Sequence, residues 1–239
     1  MATQSPAASR TDDAAQAPAR TTAARADKHE AILRAAIRVF ARSGFFNAQV
    51  ADVARAAGVA SGTVYLYFRS KDDLLTSIFD RAMREWIAEG RTAIEGVADP
   101  IERLRLIARL HLDRLGRDRE LAVVFQVELR QSTKHMEQFS ATRLREYLGV
   151  IRAVIAEGQA AGLLRDTISP TLAAKVFFGA LDEMATNWML SRRRYSLLAE
   201  ADAVVDVLIG GLAAPARPRA RRARPARHDH DTRTRKGSS

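Results

Sequence analysis

Residues Ser61 to Phe68 (SGTVYLYF) place four hydroxyl groups, on Ser61, Thr63, Tyr65 and Tyr67, in eight positions without one charge, and Arg69 and Lys71 follow directly. Hydroxyls and the free N–H groups of a helix end can grip phosphate oxygens without a formal charge, and flanking cations add to that grip. Ser61 and Gly62 are small enough to allow close approach. Thr63 can offer its hydroxyl to a base acceptor or its methyl to thymine. The two tyrosines suit phosphate contact, although plain packing would use them equally well. Catalytic chemistry has little to work with. The chain has no cysteine, and its five histidines (His29, His111, His135, His228, His230) are scattered. No HExxH, GxSxG or GxGxxG pattern occurs, so the residues predict a non-enzyme with no cofactor. Two imidazoles at 228 and 230 are too few for a metal site, and none is expected.

The charge is unevenly placed. Of a net +10 over 239 residues, +7 lies from Pro215 onward and +1 in residues 1–26, leaving +2 for everything between. The Ala-, Arg- and Pro-rich tail has no apolar face to bury and is predicted to be disordered, as are residues 1–26. The tail suits simple solubilisation or salt-sensitive phosphate contacts, and both readings stay open. Residues 1–26 lack the apolar run of a secretory signal and no segment is long and apolar enough to span a bilayer, so a soluble cytoplasmic chain is expected.

The elements that must hold these residues read as helices throughout. Ile32, Leu33, Ala36, Ile37 and Phe40 recur at helical spacing between Asp27 and Gly44. A short helix is predicted from about Val50 to Ala57, and Gly58 supplies a tight turn into a third over Ser61 to Phe68. Ser70 with Asp73 caps a fourth, and Asp99-Pro100 and Ser169-Pro170 each mark a helix start. Further helices are predicted over Asp118–Arg130, Lys134–Ala161, Pro170–Ser191 and Leu197–Leu212. Two short helices with a tight turn and Val59 in the angle are the sequence form of a helix-turn-helix, whose second helix enters a major groove.

The run Ala31 to Phe79, with Gly44-Phe45, Val53 to Val59 (VARAAGV) and Gly62 to Lys71 (GTVYLYFRSK), closely resembles the DNA-binding domain of TetR-type repressors. The resemblance implies an all-α chain: a three-helix head at 27–72, a helical ligand-binding and dimerisation domain at 73–213, and a tail at 214–239. It implies a homodimer reading a palindromic double-stranded operator, with Ser61, Gly62 and Thr63 toward bases. Tyr65, Tyr67 and Lys71 would lie on phosphates, and Gln49 at the start of the supporting helix. The C-terminal half, through Leu121 to Ser132 (LAVVFQVELRQS) and Phe177 to Tyr195 (FFGALDEMATNWMLSRRRY), resembles the FadR group of fatty-acid-degradation repressors.

That second resemblance implies a long-chain acyl-CoA effector, which needs an apolar tunnel and cationic groups at its mouth. Candidates for the tunnel are Leu110, Phe125, Leu129, Tyr147, Ile151, Phe177, Phe178, Leu181 and Trp188; Arg109, Arg130 and Arg143 are candidates for the anionic groups. Each apolar residue would also serve as ordinary core. Asp182 and Glu183 need partners if buried. The effector would favour a dimer whose two reading helices no longer match one DNA turn, with the fourth helix as the lever and the last two helices (Val176, Phe177, Met184, Val204, Val207, Leu208) as the dimer interface. Two other readings remain: a repressor of an efflux or other metabolic operon with a different apolar effector, and an architectural DNA-binding protein without sequence choice.

Overall fold

The computed structural model describes residues 12–210, and every regular element among them is helical. The expectations for the basic tail and for residues 1–11 lie outside the described residues. Helix α1 runs Asp12–Ser43, so it starts well before Asp27. The extra turns are rich in alanine, the residue with the strongest helix preference, and among residues 24–43, whose burial is described, Ile32 is the first buried one; the apolar stripe therefore marks where that part of the helix packs, not where the helix starts. Gly44, at φ 75°, ends it in the left-handed conformation that glycine adopts without strain.

Helix α2 (Val50–Ala57) follows, then Gly58 at φ 69°, then α3 (Ser61–Tyr65). The regular part of α3 stops three residues short of Phe68, yet the amides of Tyr67 and Phe68 still reach the Val64 carbonyl at 3.0 Å. Val53, Val64 and Phe68 close a dry core against Ile32, Leu33 and Phe40 of α1 and Leu74 and Leu75 of the next helix. That helix, α4 (Lys71–Ile94), has a two-way cap: the Ser70 hydroxyl accepts from the Asp73 amide at 3.0 Å, and Asp73 accepts from the Arg69 amide at 2.8 Å.

The body is built around α5 (Pro100–Arg117), which opens on the predicted Asp99 cap and touches α4, α8, α9 and α10. Two predicted helices are broken. Residues 118–130 form a short α6 (Arg119–Val123), then a π-helical turn over Val124–Glu128 and a 3₁₀ turn over Leu129–Gln131. Residues 134–161 split into α7 (Thr133–Ala141) and α8 (Arg143–Ala160), because Thr142 leaves helical geometry (φ −118°, ψ −96°) while its hydroxyl bonds back to the Gln138 carbonyl at 2.9 Å. Helices α9 (Pro170–Leu190) and α10 (Ala201–Gly210) finish the body. Their outer sides leave Leu172, Val176, Leu190 and Val207 each at least half exposed. Phe177 is buried within the subunit, and Met184, Val204 and Leu208 are partly covered. Among the described residues, no helix is long and apolar enough to cross a membrane.

Candidate functional site

The head carries its working groups outside. Val64 and Phe68 point into the core, which turns Ser61, Gly62 and Tyr65 to solvent and leaves Thr63 half-buried. Tyr65 is 56% exposed and free to extend its hydroxyl. Tyr67 lies back toward α1, half-buried, its ring 6.2 Å from His29 and beneath the Arg25 guanidinium at 5.9 Å, so part of this side chain is taken up by packing. Gln49 is the N-cap residue of α2, its amide donating to Asp52 at 3.1 Å while the side chain stays exposed.

Lys71, expected on a phosphate, is turned inward. Its ammonium donates to the carbonyls of Phe45 (2.7 Å), Phe46 (3.1 Å) and Ala48 (2.9 Å) and sits 4.6 Å from the Phe45 ring. Three donors with three acceptors leave no proton over for a phosphate, so in this arrangement Lys71 braces the α1–α2 turn against α4.

Inside the body the aromatic rings form one continuous cluster. Phe125 meets Phe79 edge-on at 4.7 Å and stacks on Trp86 at 5.0 Å. Trp86 contacts His111 at 6.4 Å, and His111 contacts Tyr147 and Phe178, which also contact each other. His111 Nδ1 and the Tyr147 hydroxyl are hydrogen-bonded at 3.1 Å, and the other ring nitrogen of His111 has no partner. Burial pushes the His111 pKa down to about 4 against the opposing pull of Asp182, so the ring is neutral, and burial raises that of Tyr147. Trp86, Leu110, His111 and Tyr147 line a cavity of about 20 Å³, room for one water-sized molecule. An acyl chain fits there only if these rings part.

Beside this cluster lies an open cleft of about 620 Å³, at the junction of α1, α4, α7 and α8. Arg81, Arg84, Arg143, His29 and His135 line it, and Phe79 belongs to both the cleft and the aromatic cluster. Arg143 bonds Asp80 at 2.6 Å and Glu146 at 3.0 Å; the carboxylates of these two hold its guanidinium firmly protonated.

The predicted ligand residues therefore separate. Leu110, Phe125, Tyr147 and Phe178 come together around His111. Leu129, Ile151 and Leu181 are buried in the core, and Phe177 lines a different groove with Leu104 and Ile155. Trp188 stands apart, its indole donating to the Tyr195 carbonyl at 3.0 Å under the Arg119 guanidinium. The three arginines do not converge. Arg109 holds Glu102 and Asp202 of α10, Arg130 pairs with Asp182 of α9, and only Arg143 faces the cleft. Asp182 also accepts from Gln126 at 3.0 Å, while Glu183 takes the amide of Asn187 at 2.6 Å. Phe79, Trp86, Arg81 and Arg84 were not singled out from sequence, because on α4 they read as an ordinary stripe and its solvated face. Gln126 and Glu128, both buried, interrupt an otherwise apolar run from Leu121 to Leu129, and that interruption was the available signal.

Residues 32–78 match the family model for bacterial regulatory proteins of the tetR family, and residues 79–211 match the C-terminal region of YsiA-like proteins. A fatty acid metabolism regulator protein from Bacillus subtilis is 35% identical over 185 residues, covering 77% of this chain and 95% of the relative. Among solved structures, the fatty acid degradation regulator FadR from Bacillus halodurans superposes with a TM-score of 0.74 at 37% identity, over 77% of this chain and 96% of that one. The transcriptional regulator FadR from Bacillus subtilis, solved in complex with stearoyl-CoA, superposes at 0.73 with 35% identity, over 77% and 99%.

Proposed function

Because this chain belongs to the TetR family of bacterial regulatory proteins, we propose that it is a cytoplasmic, homodimeric repressor of fatty-acid-degradation genes, released from a palindromic operator by long-chain acyl-CoA. The carrying observation is the meeting of two unlike surfaces at Phe79. On one side is a closed aromatic cluster; on the other, an arginine-lined polar cleft of about 620 Å³. A ligand with an apolar chain and a phosphate-bearing head has one half suited to each. The stearoyl-CoA held by the Bacillus subtilis FadR is such a ligand. Arg81, paired with Glu30 and Glu85, Arg84, paired with Asp80, and Arg143 take the head-group phosphates by exchanging these carboxylate partners, and the chain parts the rings around His111.

On the DNA side, Ser61, Gly62 and Thr63 face the bases, and Tyr65 and the Tyr67 hydroxyl meet phosphates, with Gln49 beside them. The outward apolar side chains of α9 and α10, Leu172, Val176, Leu190 and Val207, pair with those of a second copy, since a lone chain would expose them to water. Reader separation then depends on how each body holds its head. The test combines a thermal-shift panel of palmitoyl-CoA, lauroyl-CoA, free CoA and aromatic or cationic drugs with binding to a palindromic duplex selected by the full chain. Long acyl-CoAs should raise the melting temperature and weaken DNA binding. Stabilisation by drugs alone would replace the effector class, and equal affinity for random and palindromic DNA would remove the repressor reading.

A further inference from the structure

The body buries a carboxylate that neither the DNA surface nor the effector cluster uses. Glu128 is 4% exposed, and its Oε2 accepts the backbone N–H of Phe45 at 2.6 Å across 83 residues of sequence. Phe45 lies in the turn that leads into α2, and its carbonyl is the one Lys71 holds at 2.7 Å. The backbone of Phe45 is thus held on both sides, its carbonyl by α4 and its N–H by the π-helical turn Val124–Glu128. A buried, charge-assisted bond this short is strong and loses its strength quickly with distance.

The same turn is tied in two further directions. Phe125 is its contact with the aromatic cluster, stacked on Trp86 and edge-on to Phe79. Gln126 donates to Asp182 at 3.0 Å and accepts from the Thr186 hydroxyl at 3.0 Å, and Arg130 just beyond it also pairs with Asp182; both partners belong to α9. Within four residues, then, one irregular turn touches the ring cluster, the α9 helix and the turn that leads into the DNA-reading helices. A π turn is wider than the α turn before it and the 3₁₀ turn after it, and its conversion to α geometry would swing Glu128 about the helix axis.

We propose that Glu128 is the positioning residue through which the body sets the head, and that displacement of Phe125 by an effector chain draws the Glu128 carboxylate off Phe45. This rests on the acyl-CoA reading above. The turn is the two-state element that both sites bias, and the coupling is reciprocal: operator-bound protein holds the Phe45 contact and resists opening of the rings.

Operator affinity of the full-length dimer, with and without palmitoyl-CoA, tests this in wild type, E128A and E128Q. The wild-type ratio should lie in the range of ~5- to 150-fold, fall toward 1 in E128A, and recover in E128Q, whose amide oxygen can still accept from Phe45. Palmitoyl-CoA affinity in the absence of DNA should rise in E128A, which has no Phe45 contact left to break on ligand binding, and stay near the wild-type value in E128Q. Independently of any variant, hydrogen exchange of the Phe45 amide in the wild type should quicken when palmitoyl-CoA is added. Normal release of wild type and E128A alike, with Phe45 exchange unmoved, would overturn this inference and leave the effector assignment standing. A wild type that binds no acyl-CoA would overturn both.

Discussion

The head and the body are packed by opposite rules. The fully buried side chains of the head are apolar, Ile32, Leu33, Phe40, Val53, Val64 and Phe68 among them, and Lys71, whose ammonium turns inward, is only half-buried. The buried polar side chains of the described residues, His111, Gln126, Glu128 and His135, all belong to the body, and each sits where two or more helices meet. A dry, close-packed core has one good arrangement and moves as a unit. A core threaded with partnered polar groups can exchange one set of hydrogen bonds for another at modest net cost. The contrast fits the proposed division of labour, in which the head reads as a fixed unit and the body changes to reposition it.

The strongest way to break this contrast is to hollow the head. Phe68→Ala removes a fully enclosed ring and should cost about 3–5 kcal/mol, seen as a lower denaturation midpoint, with operator binding lost. If DNA binding survives intact, the head is not the rigid unit described. Next in size is the titration of the body. The folded pKa of His111, about 4, lies below its unfolded value of 6.5, so its stabilisation is complete above pH 6.5 and is lost as pH falls toward 4. Over that window a contribution of order a few kcal/mol should disappear, and the melting temperature of His111→Phe should depend less on pH than that of wild type. Equal slopes would mean that another group governs acid sensitivity.

Smaller effects sharpen the same comparison. Tyr147→Phe strips the hydroxyl from the buried His111 pair and should cost roughly 1–3 kcal/mol of stability while leaving effector-free operator affinity near wild type. Tyr65→Phe, at an exposed position, should leave the melting temperature unchanged but weaken operator binding about fivefold, on the order of 1 kcal/mol for one hydroxyl contact. An unchanged gel shift for Tyr65→Phe would move the phosphate contact to another residue.

Legibility in the sequence follows the same division. The head could be read almost residue by residue because local chemistry decides it: Val50–Ala57 forms the predicted helix, Gly58 turns, and Ser70 with Asp73 caps α4. In the body, caps were legible too, at Asp99-Pro100 and Ser169-Pro170. What stayed hidden was whatever depends on a partner far along the chain. Nothing local says that Lys71 turns to Phe45, that Arg109 reaches Asp202 across 93 residues, or that Arg130 selects Asp182. The π turn at 124–128 was also hidden, because five residues are too few for the spacing of an apolar run to separate a π turn from an α turn. The aromatic candidates could be named but not sorted, since helical spacing gives a face and not the neighbour it meets: Phe178 joins the His111 cluster, whereas Trp188 does not.

The central claim is that an apolar thioester ligand and the operator compete through the shape of this body. It is tested most directly by titrating a palindromic duplex with the full-length dimer at fixed salt, with and without saturating palmitoyl-CoA, and then repeating the experiment in reverse, measuring palmitoyl-CoA affinity with and without duplex. The account predicts that each ligand weakens the other by the same factor, within ~5- to 150-fold. Palmitoyl-CoA bound with full occupancy while operator affinity stays unchanged would contradict it.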